Sequence, residues 1–525
     1  MGQRSNTTGF QPFKILILYL LLAFLIILIF SPCLHADFLG FDDPPHFLKN
    51  NAVLALSIES TKAIFTQTVN SIYIPLATLS FALEHHFFGF NAFVFHLDNI
   101  LLHMAVVLLV FLLAQRMGLL PGAAFLAALI FGIHPMKVES VAWVTERKDV
   151  LYGLFYILAL HQYWSYLKNK SIASYLWTLF FGLVSMLAKP MALSLPLVLL
   201  LFDWFTRRRW DKNILIEKIP FFIYVVEIGS LSYLFNMRNP INDISQAILT
   251  WIWCFDFYIL KFIWPYHVSF IYILPKPINL ANGYYIMSVV LFVLFMGALI
   301  RWRSNRPLIF AFVYYFLSIF FILRFDDKVD FTVVSDRFMY LPCLGFCIWL
   351  GVELERRLKP NKLVIPFIII FIFFWGLRTF QQSQIWYNSL TLWNDVVRRY
   401  PQSYEAYYGR GMSYGFIWQY DLALADFSKA IDLNPVDVNA YNMRGKTYFY
   451  LGKYKEALED INTVIKFNPS YLGAYLTRAA IEEKVHDFSR AADDYIYVQR
   501  MSGKSFAGSL NELQKESLQF SVRRR

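Results

Sequence analysis

Charged residues are scarce in this sequence of 525 residues, at 16%, whereas soluble domains average about 25%. A water-soluble chain of this size has too much surface for so few charges, so the composition excludes a soluble enzyme. The 57% share of hydrophobic residues also excludes a disordered chain. Cysteine is rare too, and its four residues lack CxxC spacing, which favours small core residues over a disulfide or metal framework. The composition therefore indicates a multi-pass membrane protein.

The few charges are unevenly distributed along the chain. From Thr379 onward they make up about 23% of the residues, as in a soluble domain, against about 13% before that point. A membrane domain is therefore predicted over residues 1–380, followed by a soluble part. Lys and Arg collect on cytoplasmic loops, so the formal net charge of +11 is what membrane anchoring produces, and nucleic acid is not expected as a partner.

Twelve apolar segments are candidates for membrane spans. They begin near Ile15, Leu97, Gly122, Val150, Ser174, Met191, Ile219, Ala247, Tyr284, Pro307, Phe338 and Leu363. The first is interpreted as an uncleaved span and not as a signal peptide. Basic connectors should face the cytoplasm, which requires an even number of crossings between residues 207 and 301. The segment at Ala247 is the weakest of the three there, and it is predicted to be re-entrant or to lie on the outer surface.

The predicted fold class is therefore all-α, a membrane helix bundle of about eleven spans followed by a helical solenoid. This topology places outer loop 1, at about 31–96, and outer loop 2, at about 134–148, on the same face as the soluble part. Long loops are usually functional, so both are searched for chemistry.

A period of 34 residues runs through the soluble part. Three series follow it: Tyr407, Tyr441 and Tyr475; Arg410, Arg444 and Arg478; and Asp426, Asp460 and Asp494. The spacing is typical of tetratricopeptide repeats, helical hairpins that stack into a solenoid. Repeats are predicted at 405–438, 439–472 and, in degenerate form, 473–506, after a half repeat or linker at 381–404 and before a tail at 507–525. Such arrays bind peptides or partner proteins, and Arg410 and Asn442 are candidate groove residues, although solvated helix faces are the alternative.

Outer loop 1 opens with two adjacent carboxylates, Asp42 and Asp43. One of them is suited to act as a general base on an acceptor hydroxyl, while the other holds the acceptor or a divalent metal ion. The alternative is structural, with Asp43 capping the segment that starts at Pro44.

Outer loop 2 is dense in charge. Its charged and histidine residues are His134, Lys137, Glu139, Glu146, Arg147, Lys148 and Asp149. Arg147 or Lys148 can bind a phosphate while the carboxylates orient it, but a solvated joint between two helices is equally consistent with the pattern.

Three further polar residues lie at predicted outer turns. Lys189 occupies a short turn between spans, and Asp336 and Arg337 precede the last-but-one span. An arginine at the outer interface suits a lipid phosphate, with snorkelling as the alternative. His96, Asn99 and His103 share a helix stripe, for which a hydrogen-bond network is favoured over a metal site.

The string HPMKVESVAWVTERKDVL, from His134 to Leu151, resembles the second outer loop of membrane proteins that carry tetratricopeptide repeats and are similar to protein O-mannosyltransferases. Further matching strings are FDD at Phe41, GFNAFVFHLDNILLH from Gly89, LAKPMALSLP from Leu187 and SDRFMYLP from Ser335. The resemblance implies a GT-C membrane glycosyltransferase. It implies inverting transfer of mannose or another hexose from a polyprenyl-phosphate-linked donor to Ser or Thr of outer-face proteins, which the repeats would bind.

The resemblance also implies roles for individual residues. It assigns the catalytic base to Asp42 or Asp43 and favours Asp42, because related mannosyltransferases carry Asp-Glu here. It assigns the donor phosphate to Arg147, Lys148 and Arg337, with His134, Glu139, Asp149, Lys189 and Asp336 in support. No cofactor is predicted, with a divalent metal ion kept as an option.

The expected location is the bacterial inner membrane, with the site and the repeats on the periplasmic face. Two alternatives stay open: the same fold acting on a lipid or polysaccharide, and a non-catalytic membrane scaffold that recruits partners through its repeats.

Overall fold

The computed structural model describes residues 12–235, 243–320, 323, 333–358 and 364–502, so the predicted tail at 507–525 lies outside it. The chain forms two compact units, one ending at Asn388 and the other beginning at Ser389. Within the described ranges the regular structure is helical, apart from one isolated bridge between Val69 and Ile72. The all-α prediction is confirmed.

The first unit is a bundle of long apolar helices joined by short ones. In chain order these are α1 (Pro12–Phe30), α2 (Asn51–Leu54), α3 (Ile58–Thr66), α4 (Pro75–Phe88), α5 (Ala92–Arg116), α6 (Pro121–Ile133), α7 (Val138–Ala142), α8 (Arg147–Asn169), α9 (Ile172–Ala188), α10 (Leu195–Phe205), α11 (Lys212–Ile216), α12 (Ile219–Phe235), α13 (Ile244–Ile263), α14 (Gly283–Arg301), α15 (Arg306–Ile319), α16 (Leu344–Leu358) and α17 (Val364–Ile385). Each of the twelve apolar segments singled out in the sequence forms one of these helices.

Five helices of the described residues are long and apolar enough to cross a membrane: α1, α5, α13, α14 and α17. Shorter apolar helices, such as α9 and α15, accompany them. These features indicate a multi-pass membrane protein, and the number of eleven crossings stays a prediction. The segment at Ala247 forms α13, one continuous helix of 20 residues, about 30 Å long. Its re-entrant path or position along the outer surface stays a prediction.

A break after α6 directs outer loop 2 into the interior of the first unit. Pro135 has no N–H to continue the helix, and the Nδ1 atom of His134 accepts a hydrogen bond from the backbone N of Met136 at 3.2 Å. The chain bends by 55° between α6 and the next segment. Every residue from 131 to 150 is buried. Outer loop 2 is therefore no solvated joint between helices, and that alternative is wrong.

The second unit consists of short helices in antiparallel pairs. They are α18 (Ser389–Arg399), α19 (Tyr404–Phe416), α20 (Tyr420–Leu433), α21 (Val438–Tyr450), α22 (Tyr454–Phe467), α23 (Leu472–Lys484) and α24 (Phe488–Ser502). Small residues pack where the helices cross, and Ala423 and Ala457, which follow the 34-residue period, are fully buried. The repeating hairpin is the architecture that the period predicts.

Candidate active site

Asp43 is a structural carboxylate that fastens outer loop 1 to outer loop 2. Its Oδ2 atom accepts a hydrogen bond from the backbone N of Leu39 at 2.6 Å, and its Oδ1 atom accepts from Trp143 Nε1 at 3.1 Å and Thr145 Oγ1 at 2.5 Å. Only 1% of the residue is exposed. Burial raises the pKa of Asp43 to about 6, against the lowering effect of these three donors. Both carboxylate oxygens of Asp43 thus accept hydrogen bonds from the protein itself.

Asp42 differs from its neighbour in being open. The residue is half-buried, and within the described ranges its carboxylate accepts no hydrogen bond, whereas its backbone oxygen accepts from the ring Nδ1 of His46 at 2.8 Å. Burial raises the pKa of Asp42, while the positive charges of Lys148 and Arg337 act in the opposite direction. The carboxylate thus lies within electrostatic reach of Lys148 and Arg337, and no hydrogen bond from the described residues stops it from accepting a proton.

These cations belong to a network centred on the buried carboxylate of Glu146. Its Oε1 atom lies 2.8 Å from Lys148 Nζ and 3.4 Å from Arg337 Nε, and its Oε2 atom lies 3.6 Å from Lys189 Nζ. Burial by itself would raise the pKa of Glu146, but the three cations lower it well below its usual range. Glu146 is therefore a fixed negative charge that gathers three cations from distant parts of the chain.

Two more carboxylates orient the outer members of this network. Glu139 forms an ion pair with the guanidinium of Arg337 and accepts a hydrogen bond from its backbone N at 3.0 Å. Asp149 forms an ion pair with Lys189 and accepts from Ser140 Oγ at 2.9 Å. Charge-assisted bonds of this kind fix the geometry of both partners.

Arg337 is the most accessible cation of the network, with 16% of its side chain exposed against 7% for Lys148 and 8% for Lys189. Its guanidinium lies 5.6 Å from the ring centre of Trp143 and 5.1 Å from that of Phe338. Its Nη2 atom has no partner within the described ranges. Arg337 is thus held in place and still has a donor to offer.

Arg147 does not join this network. Its guanidinium forms an ion pair with Glu84, donates from Nε to Asn99 Oδ1 at 2.8 Å and donates from Nη2 to the backbone oxygen of Phe95 at 2.7 Å. The ring centre of Phe81 lies 4.7 Å from it, and the residue is 1% exposed. These contacts engage all three guanidinium nitrogens with the protein itself, which favours a structural role for Arg147 over the predicted contact with a donor phosphate.

His134 and Asp336 support the packing around the site. The Nε2 atom of His134 lies 3.0 Å from the backbone oxygen of Phe262, whose ring stacks on the imidazole. Asp336 is fully buried and accepts a hydrogen bond from Tyr272 Oη at 2.7 Å. Burial raises the pKa of Asp336 to about 7. Neither residue reaches Asp42, and both hold neighbouring segments together.

The two residues proposed for the repeat groove have internal partners. Arg410 forms a bidentate ion pair with Asp426, at 2.7 and 2.8 Å, inside its own hairpin. Asn442 is 3% exposed and donates to Tyr471 Oη at 3.3 Å. Arg410 is thus engaged within its own hairpin, whereas the buried Oδ1 atom of Asn442 has no partner within the described ranges. A groove role for these two residues stays a prediction.

Two residues of the site escaped the sequence argument. Glu146 lies in the charge-dense loop, but nothing in its spacing distinguishes it from the neighbouring carboxylates. His46 follows Asp42 by four residues, and its Nε2 atom is buried without a partner within the described ranges. No cluster of three or more His, Cys, Asp or Glu residues with metal-site geometry occurs in the part of the chain that the structure describes.

The tetratricopeptide repeat family matches residues 404–437 and 438–471. A structure titled "First TPR of Spaghetti (RPAP3) bound to HSP90 peptide SRMEEVD" is 28% identical and covers 23% of this chain and 94% of its own, with a TM-score of 0.21.

Longer matches include the membrane unit. Protein O-mannosyl-transferase F38B6.6 of Caenorhabditis elegans is 24% identical over 79% of this chain and 62% of its own length. Protein O-mannosyl-transferase TMTC1 of Homo sapiens is 24% identical over 66% of this chain and 46% of its own. TMTC4 of Mus musculus is 26% identical over 66% of this chain and 56% of its own. The chain thus spans about half to three-fifths of these curated relatives, and over most of its own length it is a homologue of proteins named protein O-mannosyl-transferases, with tetratricopeptide repeats in its second unit.

Proposed function

We propose that this chain is an integral membrane glycosyltransferase that moves a hexose, with mannose the first candidate, from a polyprenyl-phosphate donor to Ser or Thr of a protein. The observation that carries the proposal is an open carboxylate, Asp42, that lies within electrostatic reach of two oriented cations, Lys148 and Arg337. The names of the homologues support the reaction class and the protein acceptor. The repeats support a role in binding that acceptor, because repeat arrays present concave surfaces to peptides.

In the proposed reaction Asp42 takes the proton of the acceptor hydroxyl as its oxygen attacks the anomeric carbon. The bond between that carbon and the phosphate oxygen breaks on the opposite side, so the configuration inverts and polyprenyl phosphate leaves with the electron pair. Arg337, with Lys148 beside it, stabilises the negative charge that develops on the leaving phosphate. Glu139 and Glu146 keep these cations in position before the substrate arrives.

The division of work between the two aspartates follows from their contacts. A general base needs an accessible lone pair, and Asp42 has one whereas three donors occupy Asp43. Asp43 instead holds Trp143 and Thr145, so that outer loop 1 stays against outer loop 2. We propose that both units act on the periplasmic face of a bacterial inner membrane.

The test is transfer by the purified full chain in proteoliposomes, with polyprenyl-phosphate mannose as donor and a Ser/Thr-rich peptide as acceptor, read out by mass spectrometry. Asp42→Asn should lower the rate about 10²- to 10⁴-fold at an unchanged melting temperature. Asp43→Asn is the matched control, and its main effect should be a lower melting temperature.

Full activity of Asp42→Asn would overturn the assignment of the base. Transfer to lipid in the absence of peptide would favour the lipid-acceptor alternative. A wild-type protein that transfers no sugar but retains partner proteins through its repeats would favour the scaffold.

A further inference from the structure

A second charged region of the membrane unit is a cavity of about 1060 Å³ that the proposed reaction does not use. It lies where α8, α10 and α14 end and α15 begins. Lys148 is in the first turn of α8 and Lys168 is in its last turn, a separation of about 30 Å at the rise of an α-helix. The cavity is thus about the thickness of a bilayer core away from the Glu146 network.

Among the described residues that line this cavity, seven are basic and none is a carboxylate. Five of its cations form no ion pair with any residue that the structure describes: Lys168, Lys170, Arg207, Arg301 and Arg306. Two further cations, Arg208 and Arg356, pair with carboxylates outside the lining. Like charges at this density repel one another unless an anion lies between them.

Aromatic rings and a buried hydrogen-bond donor accompany the cations of this cavity. The guanidinium of Arg306 lies 4.6 Å from the ring centre of Trp204, and its Nε atom is buried without a partner within the described ranges. Lys168 Nζ lies 5.6 Å from the ring centre of Trp164. A buried N–H that lacks an acceptor is destabilising, and an anion in the cavity would supply that acceptor.

Ordinary anchoring by basic connectors does not explain this convergence. Anchoring needs cations anywhere along a connector, but here cations from four connectors meet at one cavity. Arg209 and Arg303 belong to the same connectors and are exposed like Arg207 and Arg301, but they do not line the cavity. Some cations of these connectors line the cavity while their neighbours do not, and this arrangement points to a bound ligand.

We propose that this cavity binds a phosphate-bearing anion, either the headgroup of an anionic membrane lipid or a soluble phosphate compound. Phosphate is the anion that clustered Arg and Lys side chains recognise, and basic pockets between membrane helices bind anionic headgroups. The volume is large enough for a whole headgroup. Because the cavity lies at the other end of α8 from Asp42, its occupancy and the sugar transfer are separable.

The experiment is native mass spectrometry of the detergent-solubilised full chain with phosphatidylglycerol, phosphatidylcholine or pyrophosphate. The test variant combines Arg207→Gln with Arg301→Gln, and the control combines Arg209→Gln with Arg303→Gln, which removes the same charge from the same connectors. The wild type and the control should retain phosphatidylglycerol over phosphatidylcholine. The test variant should bind it about tenfold or more weakly.

Pyrophosphate that displaces the lipid and raises the melting temperature would identify the soluble source, and lipid that pyrophosphate does not displace would identify the headgroup. Arg207→Lys with Arg301→Lys preserves the charge and should restore binding, which separates a lost ligand from a misfolded protein. Equal losses in the test and control variants, or equal retention of the two lipids by the wild type, would overturn the proposal.

Discussion

Charged side chains serve opposite purposes in the two units. In the second unit, each repeat closes one Arg–Asp pair across its hairpin: Arg410 with Asp426, Arg444 with Asp460, and Arg478 with Asp494. In the membrane unit, the Glu146 network joins three cations to three carboxylates and leaves donors of Arg337 unused. It acts electrostatically on Asp42, whose carboxylate accepts no hydrogen bond from the described residues. The residue types are the same, and the difference lies in how completely their bonds are satisfied.

This difference separates structure from chemistry. A charge whose hydrogen-bonding capacity is used up by the protein stabilises the fold and has nothing to offer a ligand. A charged group that is oriented by its neighbours and still has an unused hydrogen-bond donor or acceptor can act on a substrate. Removal of a closed pair should therefore change stability, and removal of an open group should change activity.

The largest effect is expected at Arg147, the closed cation of the membrane unit. Arg147→Gln leaves Glu84 buried without its cation, and breaking such a pair costs about 3–5 kcal/mol. The melting temperature of the solubilised protein should fall strongly, whereas transfer per folded molecule should change little.

Arg490→Gln is the control, because Arg490 pairs with Asp487 at an exposed position. It should leave the melting temperature unchanged. The double variant with Glu84→Gln should lose less stability than the sum of the two single changes. A loss of activity in Arg147→Gln without a loss of stability would return Arg147 to the phosphate site.

The next effect concerns Arg337, the open cation. Arg337→Gln should lower sugar transfer about 10²-fold through the loss of charge stabilisation at the leaving phosphate. Its melting temperature should fall less than that of Arg147→Gln. Steady-state rates with polyprenyl-phosphate mannose provide the measurement, and partial recovery in Arg337→Lys would show that charge matters more than the planar shape of the guanidinium.

The three Arg–Asp pairs of the repeats, here called the repeat ladder, provide a smaller effect on stability. Asp460→Asn breaks the bidentate pair with Arg444, whose two bonds are both 2.8 Å long. A partly exposed pair of this kind contributes about 1–2 kcal/mol. Hydrogen exchange in the full chain should show faster opening of α21 and α22.

Arg490→Gln, which removes an exposed pair with Asp487, is the control and should have no measurable effect. If both changes speed hydrogen exchange in the repeats equally, the Arg–Asp pairs of the ladder contribute no more to stability than an exposed ion pair. The contrast between the two units would then be wrong.

The sequence predicted the elements of this molecule better than the use of their charges. Apolar runs and the 34-residue period indicated the helices and the hairpins, because length and spacing determine these directly. The charge density of outer loop 2 located the candidate site. The Arg and Asp series also recur with the same period, so the sequence was consistent with the pairs of the ladder. Periodic charge alone, however, does not distinguish a closed ion pair from a residue of a binding groove.

The sequence could not predict which of two adjacent charged residues takes which role. Arg147 and Lys148 are neighbours at the start of α8, and successive residues on a helix point about 100° apart. One side chain reaches Glu84 and the other reaches Glu146, and only the packing of α4 and α5 decides which. The same holds for Asp42 and Asp43, whose separate roles depend on the position of Trp143, a hundred residues further along the chain.

The smallest effect is expected at Glu482, an incompletely satisfied charge within the repeats. Burial, together with the charge of Asp494, raises the pKa of Glu482 to about 7. A raised pKa means that the folded repeat favours the neutral acid. Its contribution to stability is therefore complete below the ordinary glutamate pKa, and it is lost as the pH rises through about 7.

Glu482→Gln should stabilise α23 and α24 at pH 8 by less than about 1 kcal/mol after solvent screening, and should have no effect at pH 4. Hydrogen exchange of residues 472–502 in the full chain, compared with the wild type at each pH, provides the measurement. Glu459→Gln, at an exposed position in α22, should change neither value. A stabilisation that is equal at both pH values would show that the amide packs better for reasons unrelated to charge, whereas a loss of stability at pH 8 would show that ionised Glu482 is a closed partner of Arg478, like the three aspartates of the ladder.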